Sequence, residues 1–270
     1  MRKKKHFCKK LKKNLSILAT QNLRTFQKMN YIKALLLLLL VSSCQITETI
    51  KINPDGSGSI EVFQLRDENS YMQLGHPLSG SEKFTDTLFV FQDYITKYAT
   101  TFVKFNKADQ VLFQEHANVK MHVKLDPIQM ENFNVISSDF KKIEELPNVY
   151  ESLSLANSLK ENYPVSKEFF KIKYTFDGSV FKRNLVIVDQ QEFEKNKKML
   201  EERKKTYAKY KLVQSYILKY HFPGKIKSVS NDKAILSPDK KSFTLEFQLS
   251  DCLQNPEITN LEVVLEPGSN

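Results

Sequence analysis

Residues that could bind a metal ion are few and widely spaced in this sequence. After residue 43 the histidines are His76, His116, His122 and His221. His116 and His122 would lie about 20 Å apart on an extended strand, at roughly 3.3 Å per residue, so they cannot share an ion unless the chain turns between them. The sequence has no HExxH motif, no paired CxxC motif and no glycine-rich phosphate loop. It therefore predicts no metal site and no cofactor.

Candidate nucleophiles lack the partners that would activate them. Ser237 and Lys240 match the Ser-x-x-Lys pattern, but the Pro-Asp pair between them lies between two strand patterns and favours a turn. Cys252 could act as a nucleophile only beside a base. A single cysteine with apolar flanking residues is more often partly buried. We therefore predict no catalytic residue and no enzyme activity. A hydrolase whose site is assembled from distant residues remains open, because one sequence does not reveal such a site.

Cys44 has the clearest chemistry, because it ends the stretch ALLLLLLVSSC. The uninterrupted apolar run, Ala34 to Val41, is too short for a membrane span of about 20 residues and fits the ~7–15 residues of a secretory signal. The residues upstream include 11 Lys and Arg and no acid. The Val-Ser-Ser-Cys ending resembles the lipobox of bacterial lipoprotein signal peptides. This resemblance implies that residues 1–43 are a signal peptide, with Met29 as a candidate start, and that Cys44 becomes a lipidated first residue.

Removal of this signal peptide changes the charge of the chain. The net charge of +10 falls to about −1, because 30 basic residues then stand against 31 acidic ones. The high isoelectric point therefore belongs to the targeting segment, and we predict no nucleic-acid binding. Cys8 would be removed and Cys44 lipidated, which leaves Cys252 without a disulfide partner.

Alternating apolar residues predict several strands in the mature chain. The pattern favours a hairpin around Asp55–Gly56, a strand over 119–125 and a second hairpin around Asp177–Gly178. Three further strands are predicted over 212–222, 242–249 and 260–266, with alternate residues buried. One-sided alternation predicts an α+β fold, in which a mainly antiparallel sheet has one apolar face covered by several helices. We expect 44–68 to form the lipidated N-terminus and first hairpin, 69–266 the remainder of a single domain, and 267–270 a flexible tail.

Helical spacing predicts four helices. They are a helix over 85–99, a short helix capped near Ser138, a helix within 148–163, and a longer helix over 189–211. Between Glu194 and Lys211 the last helix has eight basic and three acidic residues. Two interpretations of that face stay open, a solvated surface and a surface that contacts anionic lipid headgroups.

Two stretches carry a resemblance to a known family. INPDGSGSIEV, residues 52–62, and YILKYHFPGKIKSVSNDKAILSPDKKSFTLEF, residues 216–247, resemble the two ends of LppM-type bacterial lipoprotein domains. The resemblance implies an exported, lipid-anchored α+β domain with a role in binding lipid or glycolipid. Phe222, before Pro223 and Gly224, is either the lip of an apolar cavity or a bent strand end. With Tyr216 and Tyr220 it forms our candidate ligand-binding set.

These observations favour a lipoprotein of the cell envelope, anchored to the membrane through Cys44. The residue after Cys44 is Gln45, whereas an Asp at this position retains some lipoproteins in the inner membrane. We therefore expect an outer-membrane protein that faces the periplasm. The first hypothesis is a non-catalytic domain that binds a lipid or glycolipid. The alternative is a structural or assembly subunit that docks to an envelope protein complex through the charged helix.

Overall fold

A computed structural model describes residues 45–68, 83–165, 169–209 and 214–268, without the side chains of 203–209. These residues belong to one compact unit, Ser43–Asn270. The predicted signal peptide and lipidated Cys44 lie outside the described residues. Among the described residues, no helix is long and apolar enough to cross a membrane.

Twelve strands in the described residues form two sheets. The strands are β1 Gln45–Ile52, β2 Gly58–Leu65, β3 Thr85–Val90, β4 Lys120–Asp126, β5 Glu131–Phe140, β6 Phe170–Phe176, β7 Val180–Ile187, β8 Ser215–His221, β9 Ile226–Val229, β10 Ile235–Leu236, β11 Ser242–Gln248 and β12 Leu261–Leu265. The large sheet has the order β10-β11-β8-β1-β2-β5-β4-β3, and the small sheet has the order β6-β7-β12-β9. The pairs are antiparallel except for β1 with β8, which run parallel.

Six α-helices connect or cover the strands of the described residues. They are α1 Phe91–Lys97, α2 Ala99–Phe102, α3 Lys107–Glu115, α4 Ser152–Glu161, α5 Gln190–Lys209 and α6 Leu249–Gln254. Short 3-10 turns occur at Ile143–Glu145, Val149–Glu151 and Pro256–Thr259. The predicted helices within 148–163 and over 189–211 are confirmed as α4 and α5.

The first hairpin forms as its sequence predicts. The Asp55 side chain accepts a hydrogen bond from the Ser57 backbone N–H at 3.0 Å, and Gly56 adopts a φ of +82°, which glycine allows at little cost. In β1, Ile50 and Ile52 are buried toward the core, while Lys51 between them is exposed. In the large sheet, β1 is a central strand and lies between β2 and β8.

The apolar face of the large sheet is covered by both helices and a second sheet. The Phe181 ring of β7 packs edge-on against Tyr220 and Phe222, each at a centroid distance of 5.4 Å. Elsewhere in the same hydrophobic core lie Phe91 of α1 and Leu155 of α4. The predicted α+β class with a mainly antiparallel sheet is confirmed. The sequence pattern did not predict that the strands divide into two sheets.

The predicted helix over 85–99 is wrong in its first part. Thr85–Val90 forms β3, the edge strand that pairs with β4, and α1 begins only at Phe91. Leu88, which the helical pattern would bury, is 76% exposed. Pairing with β4 satisfies the backbone groups on one side of this β-branched and aromatic segment, and this tertiary contact outweighs the helical spacing.

The predicted short helix near Ser138 is also wrong. Ser138 is a buried residue of β5 that pairs with Ile60 of β2, and only a 3-10 turn follows at Ile143–Glu145. The predicted strand over 242–249 ends at Gln248, because Leu249 begins α6. In both cases neighbouring strands or helices decide where an ambiguous segment changes its conformation.

Candidate functional site

A buried carboxylate lies in the middle of the first strand. Glu48 has the same orientation in β1 as Ile46 and Ile50, so the alternation of the strand directs its side chain into the core. Glu48 is fully buried, at 0% exposure. A buried charge requires a partner of opposite charge and hydrogen bonds to its oxygens.

Arg183 of β7, on the small sheet, is that partner. Its Nε donates to Glu48 Oε1 at 3.3 Å, and its Nη2 donates to Glu48 Oε2 at 3.4 Å. Nη2 also donates to the Tyr216 hydroxyl at 2.7 Å. Nη1 donates to the carbonyl of Thr259 at 3.1 Å and to its hydroxyl at 2.7 Å. These contacts use all five N–H groups of the guanidinium.

Four tyrosines complete the shell around Glu48. Tyr174 donates to Oε1 at 2.9 Å and Tyr216 donates to Oε2 at 2.7 Å. Tyr220 donates to Oε1 and Tyr150 donates to Oε2. We call Glu48, Arg183 and these four tyrosines the Glu48 cluster. It joins β1 and β8 of the large sheet to β6 and β7 of the small sheet.

The electrostatics of the Glu48 cluster keep the carboxylate ionised and the phenols neutral. Burial raises the pKa of Glu48, but the charge of Arg183 and the hydrogen bonds from Tyr150 and Tyr220 outweigh burial and lower the pKa overall. Burial and the charge of Glu48 raise the pKa of the Tyr150, Tyr174 and Tyr220 phenols. Each Glu48 oxygen already accepts three hydrogen bonds, and Arg183 has no free donor. The Glu48 cluster therefore holds the sheets together and offers no group that could act as an acid or base on a substrate.

An apolar cavity of about 120 Å³ lies beside the Glu48 cluster. Its walls are Ile46, Tyr150, Phe169, Phe170, Ile172, Arg183, Leu185, Tyr216, Leu249, Cys252, Leu253, Pro256 and Thr259. This volume is below the ~300–1,000 Å³ of typical small-molecule pockets and close to the ~150 Å³ of an apolar cavity that binds benzene. A pocket of this size accommodates the end of an alkyl chain, and a whole lipid would exceed it.

The cavity lies at the end of the sandwich where the first strand begins. Gln45 pairs with Ser215, and Ser215 pairs with Gln248, immediately before α6. Six lining residues are partly exposed, and we take the side on which they lie as the mouth of the cavity: Ile46, Phe169, Phe170, Ile172, Leu249 and Leu253. We call this end, with Gln45, the start of β8 and α6, the proximal end.

The candidate ligand-binding residues differ in their position relative to the cavity. Tyr216 lines it, with its hydroxyl bound to Glu48 and Arg183. Tyr220 is buried in the Glu48 cluster, and Phe222 is buried between Phe181 and Phe243. Neither of these two lines the cavity, and their role in ligand binding stays an untested prediction.

The sequence analysis missed Glu48, Arg183, Tyr150 and Tyr174. A signal was present at two of them, because a charged residue occupies a core-facing position in each of two alternating strands. Glu48 lies on the same face of β1 as Ile46 and Ile50. Arg183 lies on the same face of β7 as Phe181 and Leu185. Two opposite charges on the buried faces of separate strands indicate a pair, although not which sheets they join.

The remaining reactive groups are not arranged as a catalytic or metal site in the described part of the chain. No group of three or more His, Cys, Asp or Glu there could hold a metal ion. His116 lies at the C-terminal end of α3 and His122 lies on β4, where it contacts Asp86. Burial raises the pKa of the Cys252 thiol to about 12, so the sulfur is protonated at neutral pH. Ser237 and Lys240 form the turn that the sequence predicts, closed by a hydrogen bond from Lys240 N to Ser237 O at 2.9 Å.

Comparisons with family models and with curated proteins give no match. A comparison with solved structures finds the folded domain of LppM from Mycobacterium tuberculosis, determined by NMR. The two chains are 10% identical, the alignment covers 84% of this chain and 93% of that chain, and the TM-score is 0.35. A likeness at this level supports no inference about ligand or activity, and it does not test the lipobox.

Proposed function

We propose that the protein is a lipoprotein of the cell envelope whose domain binds the end of an alkyl chain of a lipid or glycolipid, without catalysis. Lipidated Cys44 anchors the domain, and the outer membrane facing the periplasm is the proposed location. The ligand enters the apolar cavity between the two sheets at the proximal end.

The position of the cavity relative to the anchor is the observation that carries this proposal. Ile46 lines the cavity and follows Cys44 by two residues, so the mouth is within about 7 Å of chain from the lipidated residue. Two or three acyl chains on Cys44 keep the proximal end at the bilayer surface. An alkyl chain that leaves the bilayer therefore meets the cavity mouth first.

The chemistry next to the cavity supports binding without a reaction. Arg183, Tyr216 and Thr259 line the cavity, but their donors are already bound within the core. Cys252 also lines it, with a protonated thiol. The cavity therefore contacts its ligand through carbon and aromatic surface, as expected for an alkyl chain.

Native mass spectrometry of the domain Gln45–Asn270 tests this proposal, because that segment contains the complete described core. The domain is produced in bacteria without its signal peptide, and bound molecules are extracted and identified. We expect a co-purifying lipid. The variant Leu253→Trp, at the mouth, should reduce occupancy several-fold, whereas Leu236→Trp, on β10 and outside the cavity, should leave occupancy unchanged.

Two results would overturn the lipid-binding proposal. One is an empty domain that also fails to bind added fatty acid or phospholipid. The other is a bound lipid whose occupancy is equal in both tryptophan variants, because the ligand would then lie outside the cavity.

A second candidate function is a docking subunit of an envelope protein complex. Phe84 and Leu88 are 62% and 76% exposed and lie beside and on β3, the edge strand of the large sheet. Ile128, 88% exposed, lies in the turn between β4 and β5. Exposed apolar side chains at a sheet edge are typical of a surface that another chain covers. A photoreactive amino acid at position 88 in the full chain should then crosslink to an envelope protein in cells, and the absence of any crosslinked product would remove this candidate.

A further inference from the structure

Three of the four sheet edges in the described part of the chain are protected against pairing with another strand. β10 has only two residues, and β9 has four, with Lys227 exposed among them. β6 exposes Lys171 and Lys173, and its Phe176 N–H is already bound to a Glu144 oxygen at 2.8 Å. Short length, lysines and covered backbone groups are the usual means by which an edge strand avoids binding another chain.

The fourth edge, β3, lacks these protections. It is six residues long, TDTLFV, and contains no Lys, Arg or Pro. Its one charged residue is Asp86, whose carboxylate contacts the His122 Nε2 at 2.7 Å. Leu88, in the middle of the strand, is mostly exposed. An apolar edge without lysine or proline is a surface on which another strand can pair.

The backbone groups that β3 directs to its free edge follow from its pairing with β4. The Phe91 N–H donates to the Val119 carbonyl at 2.8 Å, in line with the β3–β4 register. Backbone groups of an antiparallel strand point alternately to its two sides, so every second residue before Phe91 bonds toward β4. The residues between them direct their N–H and C=O groups toward the free edge, namely Asp86, Leu88 and Val90.

We infer that β3 pairs with β3 of a second copy of this protein, antiparallel and about a two-fold axis at Leu88. Two-fold homodimers are the commonest protein assemblies, and the same patch then lies on both sides of the contact. In this register Leu88 lies opposite Leu88 of the second copy, and Asp86 lies opposite Val90. Each of these pairs exchanges two backbone hydrogen bonds, because it joins residues whose polar groups face the free edge.

Charge favours this register over its neighbour. With the axis at Leu88, the two copies of Asp86 are about 13 Å apart along the strand, at roughly 3.3 Å per residue. With the axis at Thr87, they would be about 7 Å apart on the same face, where like charges repel each other. The Thr87 register would also set Val90 opposite Phe84, which lies outside β3. The strand is therefore self-complementary about Leu88.

The inferred contact is small. One short ladder covers less than the ~1,200 Å² of a stable interface, so the dimer is weak in dilute solution. Two copies anchored in one membrane have a higher local concentration, and this step alone rests on the lipid anchor of the proposed function. The pairing needs no ligand in the cavity, so it can fail while the cavity proposal holds. A covalent trap in the membrane is the measurement that suits a weak contact.

Disulfide crosslinking of the full chain in bacterial membranes tests the inference. Residues in a hydrogen-bonded antiparallel pair have Cα atoms about 5.5 Å apart, within the range of disulfides. We expect Leu88→Cys, in a Cys252→Ser background, to form a disulfide-linked homodimer on mild oxidation. The matched control is Ile235→Cys in the same background, because Ile235 is 73% exposed on β10, the other edge of the same sheet. It should yield at least about fivefold less dimer.

Two further cysteine variants test the register. Asp86→Cys in one copy and Val90→Cys in a differently tagged copy should crosslink to each other, because the inferred register sets these positions opposite. Asp86→Cys alone should give no homodimer above the Ile235→Cys control, because its two copies are about 13 Å apart along the strand.

A charge at the two-fold axis should prevent the pairing. Leu88→Lys, added to the Asp86→Cys and Val90→Cys copies, sets like charges opposite each other and should reduce their crosslinking at least about fivefold. Leu88→Thr, which is polar and uncharged, should retain crosslinking within about twofold. Because Leu88 is mostly exposed, circular dichroism should show the same thermal midpoint for both variants.

Three outcomes would overturn the inference. One is a Leu88→Cys chain that reacts with a maleimide but forms no more homodimer than Ile235→Cys. Another is a disulfide from position 88 to a different protein, which would favour the docking subunit of the second candidate function. The third is an Asp86→Cys homodimer as abundant as the Asp86–Val90 product, because the inferred register would then be wrong.

Discussion

Glu48 and Arg183 hold each other in the core because every polar atom of the pair has a partner. Taking both charges out of water is costly, and their attraction offsets that cost only when hydrogen bonds satisfy the remaining oxygens and N–H groups. Four phenols and Thr259 supply those bonds. The pair therefore favours one alignment of the two sheets, because an alignment that separated Glu48 from Arg183 would leave a buried charge unpaired.

Removal of both partners should destabilise the domain less than the sum of the two single removals. We expect Glu48→Leu or Arg183→Met alone to lower the free energy of unfolding by about 3–5 kcal/mol, because each leaves an uncompensated buried charge. The double variant, with apolar side chains at both positions, should lose less than the sum of the single losses. Urea unfolding followed by circular dichroism measures all three variants.

Lys182→Met is the matched control for the residue-scale prediction. Lys182 is adjacent to Arg183 in sequence and forms an ion pair with Glu262 at 2.9 Å, but both side chains are 49% exposed. We expect a change below about 1 kcal/mol. Strictly additive losses at Glu48 and Arg183 would contradict the coupling that the structure implies.

At the scale of elements, the β1–β2 hairpin is held in register by a glycine at the start of β2. Gly58 pairs with Phe140 of β5, and a Cβ added at Gly58 would lie 2.0 Å from the Lys51 carbonyl oxygen and 2.5 Å from the Phe140 ring. The aromatic ring therefore uses the space that a side chain would occupy.

Substitution of Gly58 should disturb the sheet more than substitution of the nearby turn glycine. Gly58→Ala requires the backbone or Phe140 to move, and we expect a loss of about 1–3 kcal/mol in the free energy of unfolding. Gly56→Ala meets no atom within 4 Å, but it places alanine at a φ of +82°, with an expected loss of about 1 kcal/mol. Thermal and urea unfolding compare the two, and a larger loss for Gly56→Ala would refute the packing argument.

At the scale of the whole molecule, the proximal end gathers the features of the proposed function. The first strand begins there, the cavity opens there, and α5 and α6 contact each other beside the start of β8. The opposite end consists of turns between strands, including those at Gly56 and Gly178. Under the proposed lipid anchor at Cys44, the strands would extend away from the membrane and the cavity mouth would face it.

Lipidation of Cys44 can be tested in the full chain expressed in a bacterium. We expect the wild-type protein to stay in the membrane fraction after a high-salt wash, with an N-terminal peptide whose mass includes the acyl groups. Cys44→Ser should lose both properties, whereas Cys252→Ser, which alters the buried cysteine of α6, should keep both. If Cys44→Ser remains membrane-bound as firmly as the wild type, the lipid anchor is wrong.

Local periodicity in the sequence determined a large part of the strand and helix assignment. The hairpins around Gly56 and Gly178, the strands β4, β8 and β12, and the helices α4 and α5 all follow from alternation, turn residues or helical spacing. The helix over 85–99 failed because helical spacing occurs by coincidence in a segment whose backbone pairs with β4. Such a choice depends on a partner strand that local spacing does not reveal.

Only the tertiary structure decided the candidate site. Glu48 and Arg183 are 135 residues apart, and they meet because β1 is a central strand of one sheet and β7 belongs to the other. The parallel pairing of β1 with β8 likewise joins the first described strand to one more than 160 residues later. Alternation shows which face of a strand is buried, whereas the partner of that face is set by long-range packing. The sequence by itself therefore determined most of the strands and led to the prediction of a lipid anchor at Cys44. The packing of the two sheets determined the cavity and the charge pair beside it.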